Sequence, residues 1–145
     1  MRIIVLMLLA VLSGGAAAEQ KDNNSVANQL MTISRDINKS LPLKVDSEKV
    51  LDVTVAVHEI LIFKFRIIDE TVFNHPRFDK NKYLSALGAS LGGSTCADTA
   101  TFNLMLRGAK YNYIFINDRG IKLIDFTLDS NVCGNYRNRS GADRS

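Results

Sequence analysis

The sequence predicts an α+β domain: a four-stranded antiparallel sheet built from two hairpins, with three helices, in the order α-β-β-α-α-β-β. Three observations lead there. Residues 49–68, KVLDVTVAVHEILIFKFRII, are dense in Val, Ile and Phe, which suits two strands folded back on each other better than one long helix. Residues 110–128 carry a second alternating pattern, broken by Asn117-Asp118-Arg119-Gly120, a good hairpin turn. Helical spacing lies before and between these hairpins, without the strand-helix-strand alternation of a parallel sheet.

The N-terminus reads as an address. Arg2 precedes ten apolar residues at 3–12, too few to span a bilayer as a helix. Ser13-Gly14-Gly15 breaks that run, and Ala16-Ala17-Ala18 supplies a small-residue cleavage pattern, so residues 1–18 are expected to be a signal peptide cut after Ala18. The competing reading is an uncleaved anchor or a buried N-terminal helix. The mature chain carries no later run that reads as a transmembrane segment, and the protein is expected to be exported, to the periplasm or the medium. Residues 19–134 are expected to form one domain. Residues 135–145, NYRNRSGADRS, are expected to be a disordered polar tail.

Within the domain, Val26, Leu30, Ile33 and Ile37 form one apolar stripe of a helix over residues 21–40, capped from among Asp22, Asn23, Asn24 and Ser25 and ended by Pro42. In the first hairpin Leu51, Val53, Val55 and Val57 make one apolar face of a strand that turns near His58-Glu59. Leu61, Phe63, Phe65 and Ile67 follow on the return strand. A second helix over 78–91 stops at Gly92-Gly93-Ser94. Asp98 caps a third over 99–107, with Gly108 at its end. In the third strand Tyr111, Tyr113 and Phe115 share a face.

Cys96 and Cys133 make an even pair, which in an exported chain is most simply a disulfide. Free thiols for metal or redox work are the competing reading, without a CxxC pair or a neighbouring His to favour it. Without the leader the chain has 17 basic and 15 acidic residues, and residues 19–134 balance at 14 each. A neutral body lacks the concentrated basic footprint of a nucleic-acid surface.

Catalytic chemistry is sparse. His58 sits at the proposed turn and His75 precedes Pro76 in a connection; neither pairs with a defined nucleophile. Asp69-Glu70 read as solvated, and Asp125 as a strand residue facing solvent, or facing inward with a partner such as Lys64 or Arg66. Asp46, Glu48 and Asp52 lack the spacing of an EF-hand. The Gly-rich residues 88–93 follow a helix where a phosphate loop would precede one. No cofactor, no metal and no catalytic residue is therefore expected. Phe63, Phe65, Tyr111 and Tyr113 form an aromatic stripe that is either core or a binding face.

Leu41-Pro42, Val45-Asp46, the apolar hairpin, Cys96, Gly108, Tyr111-x-Tyr113, Asp118-x-Gly120, Phe126 and Cys133 together resemble the Pseudomonas quorum-sensing-regulated virulence factors of unknown function. The resemblance spans residues 28–133. It implies a secreted or periplasmic α+β domain with one disulfide, and no known reaction. The expected function is that of a non-enzymatic exported protein that binds another protein. A small-ligand binder with an apolar pocket between sheet and helices is the alternative, and an enzyme using His75 and Asp125 the third reading.

Overall fold

Helix α1 (Val26–Asn38) opens the described part of the chain, which in this computed structural model is residues 25–142. The expected signal peptide lies outside the described residues. Ser25 caps α1: its side chain accepts the Asn28 N–H at 3.2 Å. Val26, Leu30 and Ser34, four residues apart, are the buried row of this helix.

A two-residue strand, β1 (Leu43–Lys44), leads into the hairpin of β2 (Lys49–Val57) and β3 (Ile60–Ile67). The turn is His58-Glu59, with Val57 paired to Ile60. His58 holds φ at 52°, the left-handed region that Gly or Asn occupies at lower cost. Two helices follow, α2 (Lys80–Thr95), capped by Asp79, and α3 (Thr99–Leu106), capped by Asp98. Then come β4 (Lys110–Ile116), β5 (Lys122–Leu128) and α4 (Ser130–Ala142).

The expected four-stranded antiparallel sheet with three helices is corrected. The sheet has five strands in the order β1-β2-β3-β4-β5, and β3 runs parallel to β4, Ile60 pairing with Lys110 and Arg66 with Ile116. The two hairpins are thus joined through a parallel seam. Parallel neighbours need a crossover of a dozen or more residues, and α2 with α3 is that crossover. A fourth helix runs through residues 135–142 of the stretch expected to be a disordered tail. It is held by tertiary contacts that a polar composition does not announce. Tyr136 lies on the glycines of α2, the Arg137 guanidinium sits 4.3 Å from the Phe102 ring centre, and Cys133 is bonded to Cys96. The disulfide therefore ties α4 to the α2–α3 joint, with Cα atoms 5.1 Å apart.

The strict alternation expected in β2 is also corrected. The register shifts between Leu51 and Val53, a bulge at Asp52. Leu51, Thr54 and Ala56 consequently share the helix-covered face, while Val53, Val55 and Val57 turn to the other. Cross-strand rows show this: Leu51–Phe65–Phe115–Ile124 and Thr54–Phe63–Tyr113–Phe126 lie under the helices. Val53–Lys64–Ile114–Asp125 and Val55–Ile62–Asn112–Thr127 form the face that no described helix covers. Val55 and Val57 are each 45 % exposed there.

A buried polar joint fastens α1 to β2. The Ser34 and Thr54 hydroxyls lie 2.9 Å apart, and Thr54 Oγ1 also donates to the Ser34 carbonyl at 3.1 Å. Asn38 at the end of α1 takes both backbone groups of Thr54. Its Oδ1 accepts the Thr54 N–H and its Nδ2 donates to the Thr54 carbonyl, each at 2.8 Å. One carboxamide thus stands in for a neighbouring strand at the β2 edge beyond the short β1, where unpaired groups would invite another chain.

Replacing Asn38 with Ala leaves that N–H and carbonyl without protein partners and is expected to lower stability by about 1–3 kcal/mol in urea unfolding. A loss too small to measure would mean that water serves the edge equally well. The glycines of α2 give a test with opposite signs. A Cβ at Gly92 would lie 2.5 Å from Tyr136 Cε2, whereas at Gly93 nothing lies within 4 Å. Gly92→Ala is expected to destabilise by about 1–3 kcal/mol through overpacking. Gly93→Ala is expected to stabilise by up to about 1 kcal/mol through helix propensity alone. Equal thermal shifts of the two variants would argue against the seating of α4 on α2.

Candidate functional site: a cleft above an aromatic ladder

The parallel register of β3 and β4 sets four rings opposite one another in pairs. Phe63 faces Tyr113 with ring centres 5.0 Å apart, and Phe65 faces Phe115 at 4.9 Å, each pair stacked with nearly parallel ring planes. Diagonal contacts, Phe63 to Tyr111 at 6.2 Å and Phe65 to Tyr113 at 6.4 Å, connect them into one ladder of five rings. Each such contact adds about 0.5–1.5 kcal/mol beyond area burial. Phe65, Tyr111 and Tyr113 are buried and Phe63 half-buried, so the stripe is core on most of its surface.

Its upper edge is the floor of a cleft of about 460 Å³ between α1 and the α2–α3 joint. Ile33 and Ile37 of α1 form one wall. Ser94 and Thr95 at the end of α2, with Ala100, Thr101 and Leu104 of α3, form the other. Leu61, Phe63, Tyr111 and Tyr113 form the floor; Phe65 does not reach it. None of these lining residues is charged. The tyrosine hydroxyls are occupied within the protein, that of Tyr113 3.2 Å from Thr95 Oγ1 and that of Tyr111 bonded to Thr101. Burial pushes both phenols above their ordinary pKa, partly opposed by these bonds, so the floor stays neutral at physiological pH. The cleft therefore offers apolar surface with two satisfied polar edges. It is suited to apolar side chains or an apolar ligand, and it carries no group able to donate or abstract a proton near neutrality.

The remaining sequence candidates are dispersed. His58 stays at the exposed turn. His75 lies near the start of α2, where its Nδ1 accepts the Arg77 N–H at 3.1 Å. Asp125 is on the uncovered sheet face, held by Asn112 Nδ2 at 2.7 Å and Lys122 Nζ at 2.9 Å, which keep its carboxyl below the ordinary range. Its partners are thus not Lys64 or Arg66; Arg66 instead forms a two-pronged pair with Asp52 at 2.9 and 3.1 Å. Asp46 accepts the backbone N–H groups of Glu48 and Lys49 and pairs with the Lys49 ammonium at 2.7 Å. Among the described residues no group of three or more His, Cys, Asp or Glu side chains is placed to hold a metal ion. The Gly-rich stretch seats Tyr136, with Gly88 and Gly92 the two close approaches. Thr95, Thr101 and Leu104 carried no sequence signal as site residues. Ile33 and Ile37 were legible only as a helical stripe.

No protein-family model matches the chain, and no curated protein sequence matches it significantly. Solved structures do share its fold. One is a Pseudomonas aeruginosa protein inferred to be secreted, 17 % identical, with a TM-score of 0.64 over 74 % of this chain and 92 % of its own. The pilotin EpsS of the Vibrio vulnificus type 2 secretion system is 16 % identical, with a TM-score of 0.60 over 74 % and 91 %. The type II secretion system pilotin AspS of Vibrio cholerae is 15 % identical, with a TM-score of 0.56 over 74 % and 92 %. At these identities the likeness is one of fold.

Proposed function

We propose that this chain is an exported, non-enzymatic protein that binds a partner protein of the cell envelope through the cleft between α1 and the α2–α3 joint. The observation that carries the reading is the cleft itself: an uncharged trough over a rigid aromatic floor, with Tyr111 and Tyr113 hydroxyls already bonded to Thr101 and Thr95. Recognition there rests on burial of apolar side chains, at about 25 cal/mol per Å² before the costs of association. The fold neighbours support the direction, because two of the three are pilotins of secretion systems and the third is inferred to be secreted. A component of an envelope secretion machine is accordingly the partner we favour. The disulfide suits an oxidising compartment, and residues 1–18 are read as the export signal. An association with virulence rests on the motif resemblance. A second reading, an apolar small ligand in the same cleft, is favoured by its volume, about 460 Å³, within the usual range for ligand sites.

The test is affinity capture from envelope and medium fractions with the mature oxidised protein, alongside a Leu104→Glu variant that places a charge in one wall of the cleft. The wild type is expected to recover one protein specifically, and the variant to lose it by at least about tenfold, since an unpaired carboxylate is costly against an apolar surface. Equal recovery by both proteins would move the interface elsewhere. Recovery of no protein, with a small molecule carried through native mass spectrometry of the wild type alone, would favour the second reading.

A further inference from the structure

A second cavity, also of about 460 Å³, lies at the opposite end of α2 from the cleft. Lys82 lines this cavity and Ser94 the cleft, so some 18 Å of helix separates them at about 1.5 Å per residue. The connection after β3 builds one wall, with Thr71, Val72, His75 and Arg77, and the first turns of α2 the other. Behind it three rings close on one another. Phe73 lies 5.2 Å from both Phe78 and Tyr83, and Phe78 lies 5.7 Å from Tyr83. Phe78 and Tyr83 reach the cavity surface, so its interior is mostly apolar.

Two cations stand at this apolar wall. Among the described residues neither the Arg77 guanidinium nor the Lys82 ammonium has an ion-pair partner. The one carboxylate in the lining, Asp79, is committed to the helix start: its Oδ1 accepts the N–H groups of Asn81 at 2.9 Å and Lys82 at 3.1 Å. His75 Nδ1 is likewise engaged as an acceptor from Arg77 N–H, which leaves Nε2 to carry the donor proton. The cavity thus combines an aromatic interior with donors at its edge. We propose that it binds an amphipathic anion, an aliphatic or aryl chain ending in a carboxylate, with the chain on Phe78 and Tyr83 and the head group on Arg77 and Lys82. Guanidinium meets a carboxylate through two parallel hydrogen bonds and ammonium meets it as a point charge. The size falls within the range of small-molecule sites. This proposal is independent of the protein-binding reading of the cleft.

Titration of the mature oxidised protein with decanoate, followed by amide NMR, tests it, with decanol as the neutral chain of equal length. Decanoate is expected to shift the amides of Val72, Arg77, Lys82 and Ala86 saturably, and to bind at least about tenfold tighter than decanol. The exposed double variant Arg77→Gln/Lys82→Gln is expected to bring decanoate down to the affinity of decanol. Ala86→Trp, which places an indole in the cavity wall, is expected to weaken both by at least about tenfold. Shifts at Thr95, Thr101 and Leu104 instead, equal affinity of the two probes for the wild type, or no saturation by either probe would each overturn the proposal.

Discussion

The parallel pairing of β3 with β4 is the contact on which the other parts depend. It converts two independent hairpins into one sheet and sets Phe63 against Tyr113 and Phe65 against Phe115. It also obliges the chain to return across the sheet between Ile67 and Lys110, and α2 and α3 are that return. The cleft is a by-product of the crossover. Helix α1 lies over β2 and β3 while Thr95 and Thr101 of the α2–α3 joint reach the β4 tyrosines, and the trough between them keeps the aromatic ladder as its floor. Had the hairpins met in antiparallel fashion, neither the ring pairing nor the position of Thr95 above Tyr113 would follow.

A second constraint is the bulge at Asp52. Without it Leu51, Val53, Val55 and Val57 would share the core face, as plain alternation requires. With it the row under α1 contains Thr54 and Ala56, and the polar Thr54 must be satisfied in the interior. Ser34 and Asn38 do so, at the hydroxyl and at both backbone groups. The valines turned outward share their face with Lys64, Arg66 and Asp125, so the uncovered side of the sheet is interrupted by charge. Edge protection and core polarity are thereby handled by the same three residues.

Helix α4 shows how a polar segment becomes structure. Its composition alone argues for a solvated tail. Yet Asp129 caps its first turn, accepting the N–H groups of Asn131 and Val132, Tyr136 lies along the side-chain-free strip at Gly88 and Gly92, and the disulfide holds Cys133 beside Met105. Each of these partners is distant in sequence except the cap.

Local physics by itself determined much of this protein. The strands of both hairpins, the His58-Glu59 turn, a polar cap among residues 22–25, the cap at Asp98, and the pairing of Cys96 with Cys133 follow from periodicity, side-chain acceptors and an even cysteine count, all of which act over a few residues or by elimination. Tertiary structure alone decided how the hairpins join, which face of β2 is buried, and whether residues 135–142 are helical. Those outcomes depend on contacts between residues far apart: a crossover that fixes strand direction, a carboxamide on α1 that accommodates a bulge, and a tyrosine that fits only where two glycines omit their side chains. The candidate cleft belongs to the second group. Its floor was visible as an aromatic stripe, but its walls come from three helices whose relative placement no local pattern encodes.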